Sequence, residues 1–211
     1  VMTRRRVFAF TLVSALCLGA CTAISYRPAL SLGPSPVKIP ARIQVETFTD
    51  RSPAEDKTKR AGGSSATEPD SMTGDLGTEV TNAIIADFLA NGVFAEVGRH
   101  VDRPDAVMTG QITRFYGRAG LNAAGWITLP INPIWFLGVP MQSSEGGVDL
   151  DVSIRRSDGT LLGTYSGRAQ FSDWYTIYNQ SVLGVGTALN KAFTQAMQQI
   201  RDQMIADTGK F

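Results

Sequence analysis

Val148-Asp149-Leu150-Asp151-Val152-Ser153-Ile154-Arg155 alternates apolar and polar residues without a break, and Ser157-Asp158-Gly159-Thr160 follows at once. Successive side chains of a strand point to opposite faces, so this stretch has one dry face and one wet face. Asp-Gly between two such runs predicts a hairpin turn, with positive φ accepted at both central positions. The return strand is expected over about Leu161 to Phe171, where Leu161, Tyr165, Ala169 and Phe171 share compatible parity.

A helix is expected next, over Gly184 to Ala206. Leu189, Ala192, Ala196, Met197, Ile200 and Met204 form its apolar stripe, opposite Asn190, Gln198, Arg201 and Asp202. Upstream, Ala106 to Tyr116 and Val93 to Val97 read as strands. Gly74 to Asn91 reads as a helix with Leu76, Val80, Ile84 and Phe88 four residues apart, and Asn91-Gly92 supplies a left-handed stop. Ala41 to Phe48 is the first strand, with Ile43 and Val45 on one face. This order predicts an α+β, two-layer sandwich of about five mainly antiparallel or mixed strands, with two amphipathic helices on one face. The polar stretch Asp50 to Ser71 mixes four basic with five acidic residues and has no aromatic anchor, so it reads as a mobile loop.

The N-terminal residues give an address. Arg4, Arg5 and Arg6 precede an apolar run from Val7 to Leu18, which closes on Leu18-Gly19-Ala20-Cys21. A basic start, a short apolar stretch and small residues before a cut form a secretory signal. Small residues directly before a cysteine resemble the bacterial lipobox, which implies acylation at Cys21. Residues 1–20 are then a signal peptide, 21–40 a proline-rich tether carrying Pro28, Pro34, Pro36 and Pro40, and 41–207 a periplasmic domain. Thr22, rather than aspartate, follows the cysteine, which by resemblance to enteric sorting signals implies the outer membrane.

The whole chain of 211 residues is 43% hydrophobic and 18% charged, enough apolar material for one core. Residues 1–20 hold three of the 20 basic residues and none of the 19 acidic ones, which leaves the remainder at −2. No basic surplus points to nucleic acid. Cys17 leaves with the signal and Cys21 takes lipid, so no internal disulfide is expected.

Catalytic constellations are sparse. His100 is the one imidazole, in Gly98-Arg99-His100-Val101-Asp102, and Gly163-Thr164-Tyr165-Ser166-Gly167 has the wrong spacing for a nucleophile elbow. Gly184-Val185-Gly186 opens a dinucleotide-like run without its third glycine. Asp149 and Asp151 share a strand face, either as a carboxylate pair or as a solvated face opposite an apolar one. No cofactor and no metal are expected. The chain reads as a binding or assembly protein, with an envelope hydrolase using Asp149 and Asp151, or a purely structural lipoprotein, as alternatives.

Several motifs share their order with a known group. They are the lipobox, Val45-Glu46-Thr47-Phe48-Thr49-Asp50-Arg51, the helix–strand join from Ile84 to Phe94, Asp105-Ala106-Val107-Met108-Thr109-Gly110-Gln111-Ile112, and the Asp-Gly hairpin before a terminal helix. Together they resemble small bacterial envelope lipoproteins of the YajG type and, more distantly, periplasmic domains of CsgG- and TolB-related proteins. The resemblance implies a lipid-tethered α+β domain serving an envelope assembly in transport, secretion or envelope maintenance. Its partners would be the membrane, through Cys21, and an envelope protein or a second copy. It brings no catalytic residues.

The long loop from Asp50 and the apolar insert after Gly120 depart from this pattern. Ala119 to Ser144 runs 26 residues without a charge and holds Trp126, Ile131, Ile134, Trp135, Phe136 and Leu137. Pro130, Pro133 and Pro140 each cost roughly 3 kcal/mol in a helix interior, which argues against a spanning helix. The segment is either folded over the open sheet edge or into its own core, or it is an exposed patch for an oligomer, a partner or a membrane. Trp174, Tyr175 and Tyr178, just after Phe171, either close the core or form a second partner surface. An exposed patch at 119–144 predicts that Trp135→Ala and Phe136→Ala both abolish association and leave the melting temperature nearly unchanged.

Overall fold

The dry face of the 148–155 stretch is the floor of the core: Val148, Leu150, Val152 and Ile154 are all buried. The computed structural model describes residues 25–59, 63–178 and 186–211, and of residues 129–132 the backbone alone. Its strands are β1 (Ile39–Val45), β2 (Thr49–Asp50), β3 (Ser64–Ser65), β4 (Phe94–Gly98), β5 (Ala106–Leu121), β6 (Gln142–Arg156) and β7 (Leu161–Tyr175). The helices are α1 (Leu76–Ala90), α2 (Ala123–Thr128) and α3 (Gly186–Ala206). The first two residues of the expected last helix, 184 and 185, lie outside the described residues.

The main path of the sheet runs β4-β1-β5-β6-β7. β1 is parallel to both neighbours, whereas β5, β6 and β7 pair antiparallel. Inward residues Ile39, Ala41, Ile43 and Val45 of β1 lie in the same buried core as Val80, Ile84 and Phe88 of α1, and Phe115 of β5 meets Phe193 of α3 edge-on at 5.6 Å. Asp75 caps α1 by accepting the Thr78 N–H at 3.0 Å, which satisfies one of the helix's free N-terminal donors.

The expected sandwich of about five strands and two helices is corrected: the described sheet is mixed and has seven strands, with three α-helices. The reason is a mismatch of lengths. β5 has 16 residues and β1 only 7, so β5 outruns its neighbour and exposes unpaired backbone. β2 covers Gln111 and Ile112, and β3 covers Arg118 and Ala119, each with two residues. Such short strands carry no readable alternation.

That edge pairing also organises the stretch read as mobile. Asp50 to Ser71 contains β3 and two short 3-10 turns, at Ala54–Lys57 and Pro69–Ser71. Asp56, Ser65, Ala66 and Thr67 are buried. The guanidinium of Arg118 donates to the carbonyls of Thr58 and Glu55, and Arg114 and Arg118 flank Asp56 at 3.6 and 4.0 Å. Both guanidinium groups also lie over the Tyr116 ring, 4.8 and 5.1 Å from its centre.

The turn between β6 and β7 differs in detail from the expected one. Arg156 N–H donates to Thr160 O at 2.8 Å, leaving Ser157, Asp158 and Gly159 as the turn. Gly159 has φ 91°, while Arg103 is the one non-glycine with positive φ among the described residues. Asp158 instead accepts the Thr160 N–H through its side chain at 2.8 Å. This is a turn ending in a left-handed glycine rather than a two-residue turn with two positive φ values.

From Ser25 on, the proline-rich segment has little regular structure, and it is packed against the domain. Tyr26 and Leu32 are buried. The Tyr26 hydroxyl donates to Asn190 of α3 at 2.7 Å. Asp87 of α1 accepts the Leu32 N–H at 3.0 Å, and Arg201 of α3 donates to the carbonyls of Leu32 and Gly33 at 3.4 and 2.9 Å. Arg201 and Asp87 are only 4% and 7% exposed. Charges buried so deeply cost several kcal/mol each unless held by hydrogen bonds, and this segment's backbone supplies them.

Three outcomes follow from this packing. Arg201→Ala leaves two carbonyls unpaired and should lower stability by about 2–3 kcal/mol in urea unfolding, with new protease cuts between residues 26 and 38. Gly167→Ala places a methyl carbon 2.0 Å from the Ala196 carbonyl oxygen of α3 and should cost about 1–3 kcal/mol, or more because the obstacle is backbone. Burial, with the Asp207 carboxylate beside it, pushes the Tyr165 phenol up to about 12, and burial raises Tyr26 as well. An unfolded phenol ionises near pH 10. Stability from Tyr165 is therefore complete below about pH 10 and is lost as pH rises through about 12, and Tyr26 acts in the same direction. Urea midpoints across that range should fall less steeply in Tyr165→Phe.

Candidate interaction surface

β5 and β6 do not meet in a tight turn. Their ribbon ends in an excursion made of α2 and a 3-10 stretch at Leu129–Leu137, closed by Gly138 at φ 79°. Pro133 lies inside the 3-10 stretch, where a proline's missing N–H opposes a longer α-helix. Asn122 ties the root of the excursion together. Its N–H donates to Met141 O at 2.8 Å, its side-chain amide donates to Pro140 O at 3.0 Å, and its amide oxygen accepts the Gly125 N–H at 2.8 Å. Met141 is buried beneath, and its N–H donates to Tyr175 O of β7 at 3.0 Å.

The expected patch residues divide by environment. Trp135 is half-buried and its indole N–H donates to Thr128 Oγ1 at 3.0 Å, so it braces the excursion from within. Ile134 is half-buried too. Trp126, Ile127, Phe136 and Leu137 point outward, as do Trp174 and Tyr178, and all six are between 47% and 79% exposed. The side chain of Ile131 lies outside the described residues.

The two segments that sequence kept apart are one surface. The Tyr178 hydroxyl donates to Phe136 O at 2.5 Å. Trp174 stands opposite Ser143, and Tyr175 opposite Gln142, where β6 leaves the excursion. Tyr175 is half-buried, and its hydroxyl lies 3.5 Å from Asp173, which Lys191 of α3 pairs at 2.7 Å. The result is an uncharged, aromatic-rich tip at one end of a long three-stranded ribbon. Exposed apolar side chains gathered from two segments make this end the candidate interaction surface.

The other sequence candidates do not join it. His100 is exposed between β4 and β5. Asp149 and Asp151 lie on the wet face of β6. Asp151 accepts a hydrogen bond from Ser166 at 2.7 Å, and Asp149 lines a small groove of about 240 Å³ with Arg114, Arg168 and Gln170. Cys21 lies outside the described residues. Two features had no sequence signal. One is the Asp56–Arg114–Arg118–Tyr116 cluster, where burial raises Asp56 although both arginines oppose the shift. The other is a shallow groove of about 690 Å³ along α3, between Leu30 and Phe171 and floored by Asn190, Lys191 and Thr194.

No family model matches the chain, and no curated protein matches it in sequence. Solved structures do. The fold is similar to that of protein XCC0632 from Xanthomonas campestris. That protein is of the family DUF330; the TM-score is 0.50 at 15% identity, over 88% of this chain and 95% of that one. Lipoprotein GNA1162 from Neisseria meningitidis overlaps less well, with a TM-score of 0.36 at 15% identity over 79% of this chain and 99% of that one. The likeness to XCC0632 concerns the fold alone, and the YajG, CsgG and TolB types are not shown. Among the described residues, no helix is long and apolar enough to cross a membrane.

The two neighbouring aromatics should now behave differently. Trp135→Ala removes a half-buried indole and its bond to Thr128, with an expected loss of about 1–3 kcal/mol in thermal unfolding. Phe136→Ala removes an exposed ring and should change stability by no more than about 0.5 kcal/mol.

Proposed function

We propose that this chain is a bacterial envelope lipoprotein, acylated at Cys21 after loss of residues 1–20, that acts in the periplasm as a binding or assembly component rather than an enzyme. The observation that carries the reading is a signal-like run ending in Leu18-Gly19-Ala20-Cys21, only a few residues before the packed domain takes up the chain at Tyr26. A cleavage and acylation site must be accessible to its enzymes, and this one precedes every described residue that is buried.

The binding assignment is supported by where apolar surface remains exposed. The core residues of β1, β5, β6, α1 and α3 are covered, yet the tip keeps two indoles and several aliphatic or aromatic side chains in solvent. Exposing that much apolar area is unfavourable at about 25 cal/mol per Å², so a tip of this kind is suited to a contact outside the domain. Such a component would join the membrane through its lipid and an envelope protein, or a second copy, through its folded surface. Thr22 after the cysteine favours the outer membrane.

Growth with an alkyne fatty acid should label the protein, and Cys21→Ser should abolish the label and leave a larger, unprocessed chain. Equal labelling of native and Cys21→Ser protein defeats the reading. Membrane fractionation of the labelled protein then reports which membrane holds it.

A further inference from the structure

The N-terminal segment and the tip share one end of the molecule. Leu189, near the start of α3, lies against Gly146 of β6, where an added Cβ would sit 2.3 Å from the Leu189 nitrogen. Gly146 is four residues from Gln142, or about 13 Å along the strand to the root of the tip. Tyr26 bonds Asn190, the residue after Leu189, so it sits at this same level. From there the chain runs beside α3 to Arg201, about 16 Å further along the helix and away from the tip. Ser25 is therefore at the tip-ward end of the segment.

We propose that the tip contacts the lipid bilayer itself, seating Trp126, Phe136, Leu137 and Trp174 at the headgroup–acyl boundary of the membrane that holds the anchor. The inference rests on acylation at Cys21. Between that cysteine and Ser25 the chain can reach at most about 14 Å, so an acylated Cys21 holds this end of the domain close to the membrane surface. The tip extends from the same end by a comparable distance.

Its chemistry suits a bilayer boundary. Ala119 to Ser144 holds no charged side chain, and beside Trp174 the charges of Asp173 and Lys191 are paired with each other at 2.7 Å, which lowers the cost of approach. Indoles and phenols combine apolar area with a polar edge and favour the interfacial layer. The exposed aliphatic and phenyl groups of Ile127, Leu137 and Phe136 can enter the outer acyl region. The root bonds of Asn122 satisfy the backbone where the excursion leaves the sheet, and Trp135 bonds across it to Thr128.

The acylated full-length protein, reconstituted in phosphatidylethanolamine–phosphatidylglycerol vesicles, tests this directly. Brominated acyl chains should quench its tryptophan emission and shift the remainder to the blue, and Trp126→Phe and Trp174→Phe should each reduce the quenched fraction. Melting curves establish that both variants remain folded. Acylated protein that floats with the vesicles but keeps unquenched emission overturns the inference and leaves the anchor reading intact. Crosslinking through the tip to a second copy or to another envelope protein, with unquenched indoles, overturns it in favour of that occupant. Protein without acyl mass that fails to float removes the anchor reading and this inference together.

Discussion

The peptide of Leu32 is held from both sides: Asp87 of α1 takes its N–H, and Arg201 of α3 reaches its carbonyl and the next one. Neither charge can be left in the core without hydrogen bonds, so the two helices and the segment between them are stable only together. The segment completes the layer over the sheet and delivers Ile39 to β1, where its N–H donates to Val93 O at 2.8 Å. β1 is the parallel strand between β4 and β5, so the sheet order depends on where this segment enters. The same contacts set the end of the domain from which Ser25 leaves. Thus a pair of buried charges, far from the tip, determines how the tip is presented.

The long ribbon creates both a structural demand and an opportunity. β5 extends well past β1, and β2 and β3 meet the demand by pairing with the uncovered edge. The chain between them is then drawn onto the wet face, where Tyr116, Arg114 and Arg118 surround Asp56. Beyond this support the ribbon is free to carry the apolar excursion away from the helices. Tyr178 bonds back to the excursion, so the chain leaving β7 and the chain linking β5 to β6 present a common surface. The apolar excursion and the end of β7 are thus joined into one exposed surface at the end of the ribbon.

Local pattern was sufficient wherever one residue type repeated at the period of its element. The stripe from Leu189 to Met204, the four-residue repeat in α1 and the alternation of Val148 to Ile154 each appear as elements with their apolar faces buried. The outer parts of the long strands were not legible. Gly117 to Gly120 and Ser143 to Gly147 carry little alternation, yet β5 and β6 continue through them because each supplies the other's hydrogen bonds. β2 and β3 are shorter than any periodicity can register. The mixed charges of 50–71 read as solvated, because nothing local reveals that Asp56 faces arginines about sixty residues away.

For the surface, the sequence by itself determined that 119–144 is apolar, uncharged and too rich in proline to form one long helix. It also determined that a basic, apolar and small-residue run leads to Cys21. Composition and proline chemistry are local properties, and they need no partner to be read. Only the tertiary structure decided that Trp135 braces while Phe136 faces outward, because one residue, a third of a 3-10 turn, separates a bond to Thr128 from solvent. It also decided that Trp174 and Tyr178 join that surface and that Ser25 lies toward the same end. Those relations depend on strand register and on the seat of Leu32 between two helices, and both are set by contacts between residues far apart in the chain.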